Sequence, residues 1–459
     1  MRHKLTWTKL LSPDRVPRPD SDPPKVNRLS SQSDERTAFE QDYDRIVFST
    51  PFRRLARKTQ VHPMASNDHI HNRLTHSIEV ASVGRSFAGR IANLAAEKSD
   101  LSDTQKPDLA WILQSACLSH DLGNPPFGHA GEEVIRVWAH EHQDLLFPER
   151  RFSSLHDLAA CRSDWLNFEG NAQGFRFASR RDNTVAGYLR LTYATLSAAI
   201  KYPWTSADVR TQQKRKHNCY STEIEIFERM ARTLGLVVND NAWCRHPLSF
   251  LTEAADDICY RIIDLEDAVE MRICQPENVR DLFFRICNSP TYDWMSLSQL
   301  RGQAIKSLMD ECWGVFERDF DAIMNGDRND DLKSSLNSAC QAQLQEVNDI
   351  YEAIFGHRKK IATELGAYHI LGRILKAFVR TVQSISDLEP TDGFKSYESI
   401  HFLAKRTIEL TWGRDHVRNH LDKPYRWWLS QVMDYVSGMT DDYATRLSRE
   451  IGGLSVEGE

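Results

Sequence analysis

The sequence contains almost no segment in which apolar and polar residues alternate with the period of two expected of a half-buried β-strand. Apolar residues instead recur at spacings of three and four, which place them on one face of an α-helix. The region from about 289 to 448 keeps this helical spacing nearly throughout. The 459 residues, 41% of them hydrophobic, are enough to bury a large core. We therefore predict a mainly α fold.

The chain divides into three predicted parts. Residues 1–36 are rich in Pro, Ser, Asp and Arg from about position 12 onward, which predicts an extended N-terminal arm. Helical spacing starts at Thr37, so residues 37–285 are expected to form the main helical core. Residues 286–459 are expected to form a C-terminal helical region that packs on this core.

Two helices inside the core are well marked. An apolar stripe from Leu109 to Cys117 ends at the dipeptide His120-Asp121, after which Gly123 and two prolines stop the helix. A second long helix is predicted over residues 250–269. Three other segments are predicted as follows: an irregular, aromatic-rich region over 144–183, a helix over 185–200, and a solvated basic loop over 212–218.

Composition excludes several classes of protein. The formal net charge is −6, so global charge does not indicate nucleic-acid binding, although a local basic site would allow it. The nine cysteines form no C-x-x-C motif, which favours reduced thiols over a disulfide framework or a zinc ribbon. The sequence shows no signal peptide and no run of about 18 apolar residues. We expect a cytoplasmic protein that does not enter the membrane.

Four residues have the chemistry of a divalent-metal site. They are His76, the adjacent pair His120 and Asp121, and Asp256. Two imidazoles and two carboxylates suit a first-row divalent metal, and they leave coordination positions open for a water and a phosphate. The competing interpretation of a lone His-Asp pair is an ordinary hydrogen bond at a helix end, because a buried pair of this kind must be satisfied in some way.

Helical spacing adds three further groups of polar residues. Asp256, Tyr260 and Asp264 are four residues apart and share one face of a helix, although a solvent-facing stripe would show the same spacing. Arg73 precedes His76 by three residues, so a cation would stand beside a candidate metal ligand. His129 and Glu132 have the spacing of an oriented acid-base pair. The competing interpretation is a helix start, where acidic residues favour the dipole.

Four segments taken in order resemble the deoxyguanosine triphosphate triphosphohydrolase family, which belongs to the HD-domain phosphohydrolases. The segments are FSTPFRRLARKTQV, NRLTHSIEVA, LSHDLGNPPFGHAGE and EAADDICYRIIDLEDA. The resemblance is clear from about residue 35 to 270, whereas the C-terminal third fits by length and helical character. It implies an all-helical HD core with one metal ion per subunit, held by His76, His120, Asp121 and Asp256. Asp257 competes for the last position, but Asp256 has the family's spacing to Tyr260.

The resemblance also implies roles for other residues. The catalytic pair is His129 and Glu132. The substrate contacts are Gln60, Arg73, Lys201, Tyr202, Tyr260 and Asp264. Wider relatives often have a histidine after HDLG, where this chain has Asn124 as the bacterial triphosphohydrolases do, and this leaves His129 as the main acid-base candidate.

The implied reaction converts a deoxynucleoside triphosphate and water into a deoxynucleoside and tripolyphosphate. A His/Asp donor set accepts Mn, Mg, Fe, Co or Ni. The resemblance implies a homo-oligomer, of which a hexamer is one size. Two alternatives stay open at this point. One is another HD-superfamily nucleotide phosphohydrolase with the same metal site. The other is a nucleotide-binding or nucleic-acid-binding protein with a vestigial HD site, for which the basic residues Lys214, Arg215 and Lys216 could be quoted.

Overall fold

The computed structural model describes residues 4–17, 35–59, 71–180, 189–239, 242–288, 294–355, 358–389 and 395–453. The first eleven helices in these ranges are α1 (Trp7–Leu10), α2 (Ala38–Val47), α3 (Thr50–Arg54), α4 (Arg73–Lys98), α5 (Lys106–Ser119), α6 (Gly128–Glu141), α7 (Gln143–Leu146), α8 (Leu155–Leu166), α9 (Gly170–Ser179), α10 (Tyr193–Ala198) and α11 (Val209–Lys214). The helices that follow are α12 (Ile224–Leu234), α13 (Pro247–Glu270), α14 (Pro276–Cys287), α15 (Leu297–Arg318), α16 (Phe320–Met324), α17 (Ser338–Phe355), α18 (Arg358–Ser386), α19 (Phe402–Leu410), α20 (Arg414–Arg418), α21 (Tyr425–Ser437) and α22 (Asp441–Ile451).

Strand structure in the described ranges is limited to a small antiparallel pair, β1 (Val237–Asn239) and β2 (Ala242–Trp243), and a few isolated bridges. Short 3-10 turns cover Leu55–Arg57, Glu149–Arg151, Lys333–Ser335 and Tyr397–Ser399. The predicted mainly α fold is therefore confirmed.

Helices α4, α5 and α13 pack together and form the centre of the fold. The predicted apolar stripe of α5 is buried, because Leu109, Ile112, Leu113, Ala116 and Cys117 all have 0% exposure. Helix α4 begins at a capping box in which the Asn72 side chain accepts from the amides of Leu74 and Thr75. Burial of α5 carries the His120-Asp121 pair, which directly follows it, into the interior.

The buried apolar residues form two clusters. One joins α1 to α5 with α10 and α12 to α17, and the other joins α6 to α8 with α18 to α22. Helix α9 contributes to both, through Phe175 in the first cluster and Ala172 in the second. Within the predicted arm, Leu5, Trp7 and Leu10 are buried in the first cluster, so its initial residues pack rather than extend away. The predicted boundaries at residues 36 and 285 stay predictions.

Two local predictions were wrong in the described residues. Residues 144–180 are not irregular, because α7, α8 and α9 lie there, and the described residues of the 185–200 segment are helical only at Tyr193–Ala198. The side chain of Thr192 accepts from the amide of Thr195 and starts α10 at that point. The Thr192 amide and hydroxyl are held in turn by the buried Asp42 carboxylate. A tertiary contact thus sets the start of α10, and the local sequence does not reveal it.

Two expectations from composition concern the cysteines and membrane insertion. All nine cysteines are free thiols, and eight are buried. Among the described residues, no helix combines the length and the apolar character that crossing a membrane would require.

Candidate active site

Four side chains meet where α4, α5 and α13 pack: one from α4, one from α13 and two that directly follow α5. Asp256 Oδ1 on α13 lies 3.1 Å from Nε2 of His76 on α4 and 3.4 Å from Nε2 of His120. Asp121 Oδ1 lies 3.5 Å from His120 Nε2. One donor atom each from His76, His120 and Asp121 lie within 4.8 Å of one another. The structure thus brings together all four residues that the sequence predicts as metal ligands.

Each of the two carboxylates uses its oxygens for different contacts. Asp121 Oδ2 accepts a hydrogen bond from Arg73 Nη1 at 2.6 Å, and Asp256 Oδ2 accepts from Lys201 Nζ at 2.5 Å. The Oδ1 atoms face the imidazoles. Burial acts to raise the pKa of both carboxyls, but the neighbouring cations and histidines outweigh it and hold both pKa values well below their usual range. Both groups are therefore ionised at neutral pH.

The neighbouring carboxylate of Asp257 lies elsewhere. Its two oxygens are each 3.3 Å from Lys333 Nζ, and it lines the cavity without facing the imidazoles. The geometry therefore favours Asp256 over Asp257 as a ligand, in agreement with the spacing to Tyr260.

The two imidazoles fit a metal. His120 Nδ1 lies 2.6 Å from the Cys117 carbonyl oxygen, which can only accept, so Nδ1 carries a proton and Nε2 is the nitrogen that faces the cluster. Burial acts to lower the pKa of His120, but Asp121 and Asp256 outweigh it and raise this pKa to about 9. The carboxylates thus favour positive charge at Nε2, and a divalent cation there would take the place of the Nε2 proton. Two nitrogen and two oxygen donors suit a first-row divalent cation.

A tight turn between α5 and α6 places His129 beside this cluster. Phe127 and Gly128 both have left-handed backbone angles, with φ of 66° and 59°. A Cβ on Gly128 would lie 2.4 Å from Arg73 Nη2, so glycine is needed here for space as well as for conformation. The turn and Arg73 are thereby packed directly against each other.

His129 and Glu132 lie on the first turns of α6. Glu132 is 2% exposed; its Oε1 accepts from the Gly170 amide at 2.9 Å, and its Oε2 lies 3.6 Å from Lys216 Nζ. No hydrogen bond joins His129 to Glu132 in the described part of the chain. Glu132 acts to raise the pKa of His129, but burial, Arg73 and Lys216 outweigh it and lower this pKa. His129 is therefore neutral at pH 7 and able to accept a proton.

A cavity of about 620 Å³ opens over these residues. Its lining includes the predicted substrate contacts Arg73, Lys201, Tyr202 and Tyr260. Asp264 is 2% exposed and is absent from the lining, so the structure does not bring it to this cavity. Gln60 lies outside the described residues.

The sequence did not single out several residues of the cavity. Lys216 was predicted in a solvated loop, but its side chain is only 29% exposed and donates to Glu169 Oε1. The predicted exposure is confirmed for residues 212–215 and was wrong for Lys216, His217 and Asn218, the last two of which are buried. The predicted loop was wrong for residues 212–214, which end α11. A run of three cations gives no signal that the third one turns inward. Thr363 and Glu364 of α18 also line the cavity, and only tertiary packing brings them there.

The arrangement combines three chemical functions in one enclosed space. It has a cluster of two imidazoles and two carboxylates for a divalent cation, cationic side chains for an anionic group, and a neutral histidine for proton transfer. Arg73, Lys201 and Lys216 supply positive charge although the whole chain is acidic. This combination suits hydrolysis of a phosphate ester.

Comparisons with known proteins agree with this chemistry. The HD domain family model matches residues 73–153. A deoxyguanosinetriphosphate triphosphohydrolase-like protein of Pseudomonas aeruginosa (strain LESB58) is 39% identical, covering 98% of this chain and 99% of its own length. A protein of the same description from Synechocystis sp. is 33% identical over 98% of this chain and 100% of its own length. A deoxyguanosinetriphosphate triphosphohydrolase of Yersinia enterocolitica is 30% identical over 90% of this chain and 94% of its own length.

Proposed function

Because this chain belongs to the deoxyguanosine triphosphate triphosphohydrolase family of HD-domain phosphohydrolases, we propose that it is a metal-dependent dNTP triphosphohydrolase. The products would be a deoxynucleoside and tripolyphosphate. One observation carries the proposal: the candidate metal ligands line the same cavity as His129 and three cationic side chains. These ligands are His76, His120, Asp121 and Asp256. The family makes the protein a hydrolase; the dNTP substrate, dGTP first among them, is our inference.

The metal site would be formed by His76, His120, Asp121 and Asp256. A bound divalent cation acts as a Lewis acid that stabilises charge developing on a phosphate oxygen. The protein itself keeps the two carboxylates ionised through Arg73 and Lys201. This donor set accepts Mn, Mg, Fe, Co and Ni, and the proposal covers all five metals.

The proposed step is attack of water on the α-phosphorus with departure of the 5′ oxygen of the sugar. One P–O bond forms as the other breaks. The attacking water loses one proton and the leaving 5′ oxygen gains one. His129 carries out one of these two transfers, and its lowered pKa favours acceptance of the water proton. The other transfer is made with solvent water. Glu132 remains ionised beside His129. Burial acts to raise the pKa of Glu132, but Lys216, Arg136 and the Gly170 amide favour the charged form and this pKa is lowered.

The remaining cavity residues would hold the nucleotide. Arg73, Lys201 and Lys216 would neutralise phosphate charge, and Tyr260 with Tyr202 would pack on the sugar. Asp264 and Gln60 stay proposals as sugar contacts, and the cavity lining supports neither of them. Asp264 is buried away from the cavity, and Gln60 lies outside the described residues. A cytoplasmic location, which rests on composition, and a homo-oligomer, which rests on the family resemblance, are likewise proposals.

Two alternatives are weighed against this function. Another HD-superfamily nucleotide phosphohydrolase would use the same metal cluster, and only substrate data distinguish it. A nucleic-acid-binding protein with a vestigial site is less well supported, because Lys216 turns into the cavity and so does not extend the exposed basic surface of Lys214 and Arg215. All four candidate metal ligands are present in this chain, which also argues against lost catalysis.

The test is a product analysis. Purified protein is incubated with each of the four dNTPs and with GTP in the presence of each metal, and the phosphate products are separated. We expect tripolyphosphate from at least one dNTP and none from GTP. Release of pyrophosphate or of single phosphates would identify a different bond and contradict the proposal, and no turnover with any metal would favour the vestigial site.

A further inference from the structure

One carboxylate of the C-terminal region joins two segments of the candidate active site. Asp441, the first residue of α22, is 4% exposed. Its Oδ1 accepts from the Phe127 amide at 2.9 Å. Its Oδ2 accepts from the Thr59 amide at 3.0 Å and also from the Thr59 hydroxyl. These bonds span 314 and 382 residues of sequence.

The Phe127 and Thr59 segments are each connected to residues that the proposed reaction uses. Phe127 is one of the two residues of the turn with a left-handed backbone, and it lies two positions before His129. The carbonyl oxygen of Thr59 accepts from Arg73 Nε at 2.8 Å, and Arg73 in turn donates to Asp121. Asp441 is thus connected through Phe127 to the proton-transfer residue and through Thr59 and Arg73 to a predicted metal ligand.

A second contact crosses the same junction. Lys58 is 2% exposed and donates to the carbonyl oxygens of Asn124 and Ser437, both at 2.6 Å. Asn124 belongs to the turn and hydrogen-bonds Asp121, while Ser437 ends α21. The connection between α21 and α22 therefore holds the 120–128 turn at two places.

The needs of α22 itself do not explain a buried carboxylate here. Thr440 already caps the helix, since its side chain accepts from the Tyr443 amide. Asp442 lies in the same first turn, is exposed, and serves the helix dipole equally well. Burying Asp441 costs desolvation free energy that three donors from the active-site segments offset.

We propose that Asp441 is a positioning residue that fixes the His129 turn and Arg73 in their reactive geometry, so that the active site is completed by the C-terminal region. This inference rests on the proposed function for its kinetic consequence. Asp441 touches none of Lys201, Tyr202 and Tyr260 in the described contacts, and it reaches one proposed phosphate-binding residue, Arg73, through Thr59. Loss of Asp441 should therefore lower kcat through the His129 turn and raise KM by a smaller factor through Arg73.

Three variants test the proposal. Asp441→Asn keeps the shape and one acceptor oxygen but turns an N–H group toward one of the donors. Asp441→Ala removes every bond. Asp442→Asn is the matched control, because it removes the same charge from the same helix turn without touching Thr59 or Phe127. The measurements are kcat and KM for the best dNTP, the melting temperature, and hydrogen exchange of the Thr59 and Phe127 amides.

We expect Asp442→Asn to keep the wild-type kcat, Asp441→Asn to lower it, and Asp441→Ala to lower it further, to roughly 10- to 100-fold below wild type, the range for residues that support a site from outside. Exchange at Thr59 and Phe127 should accelerate in the Asp441 variants only. Hydrogen exchange needs no turnover, so inactive wild-type protein would refute the proposed function while this contact is still tested.

Three results would overturn the proposal. One is unchanged exchange at both amides in Asp441→Ala. A second is wild-type kcat in a variant whose amides exchange faster. The third is a fall in kcat accompanied by faster exchange throughout α4, α5 and α13, because that pattern indicates general destabilisation rather than positioning.

Discussion

At the scale of single residues, the site depends on side chains that do two things at once. Asp121 and Asp256 each give one oxygen to a cation and turn the other toward the imidazoles. The cations thereby hold the carboxylates in one orientation and keep them charged. The same cations line the cavity, so under the proposed function the residues that orient the carboxylates would also meet the anionic substrate.

Lys216 shows how one side chain sets the pKa of another. Its Nζ lies near the Glu132 and Glu169 carboxylates, and its charge helps to lower the pKa of His129. In Lys216→Met the pKa of His129 should rise, because one of the charges that disfavour imidazolium is removed. In a plot of kcat/KM against pH, the limb that reports the titration of His129 then moves to higher pH. The direction is the same whether neutral His129 acts as base or protonated His129 acts as acid.

The measurement is kcat/KM against pH for wild type and two variants. Lys214→Met serves as the control, since this lysine is exposed two residues away, and its profile should coincide with that of wild type. A limb that stays in place, or moves to lower pH, in Lys216→Met would be inconsistent with the electrostatic role given to Lys216.

At the scale of elements, the turn after α5 is fixed by its contact with α9. A Cβ on Gly123 would lie 2.0 Å from the Gly174 amide nitrogen and 2.2 Å from the Gly170 carbonyl oxygen. These are backbone atoms that cannot move without shifting α9. The N-terminus of α9 also carries the Gly170 amide that holds Glu132. The turn, α9 and the proposed catalytic pair therefore depend on one close backbone approach.

Gly123→Ala should consequently destabilise the fold by about 1–3 kcal/mol or more, as overpacking does, and should lower activity in the surviving folded protein. Gly89→Ala is the opposite control. Gly89 is exposed in the middle of α4, and a Cβ added there would meet nothing within 4 Å, so alanine should stabilise that helix by roughly 0.5–1 kcal/mol. Urea unfolding measures both, and equal stability of the two variants would refute the packing argument.

At the scale of the whole molecule, the candidate site gathers distant parts of the chain. Its predicted ligands come from α4, α13 and the residues that follow α5, while His129 lies on α6 of the second apolar cluster. Helix α18 adds Thr363 and Glu364, and α22 adds the Asp441 contact. A cation bound among these elements would link them, and its binding free energy would add to the stability of the folded chain.

Metal binding should therefore raise the melting temperature. Relative to chelator-treated protein, a divalent cation at about 100 times its Kd should stabilise the fold by about 2.7 kcal/mol. Differential scanning calorimetry with and without Mn²⁺ gives the shift. Asp256→Asn should lose the response, whereas Asp257→Asn should keep it, because Asp257 faces Lys333 instead of the imidazoles. A response preserved in Asp256→Asn would refute the ligand assignment.

The sequence by itself determined the helical class, the α5 stripe that ends at His120-Asp121, and the set of candidate metal ligands, because these follow from periodicity, turn chemistry and donor type. Only the tertiary structure decided which neighbours serve the site. Lys216 turns inward while Lys214 and Arg215 do not, Asp264 is buried away from the cavity, and Asp441 reaches Phe127 across 314 residues. The reason is physical: periodicity reports which face of one helix is buried, whereas the contacts of a side chain depend on elements that lie far away in sequence.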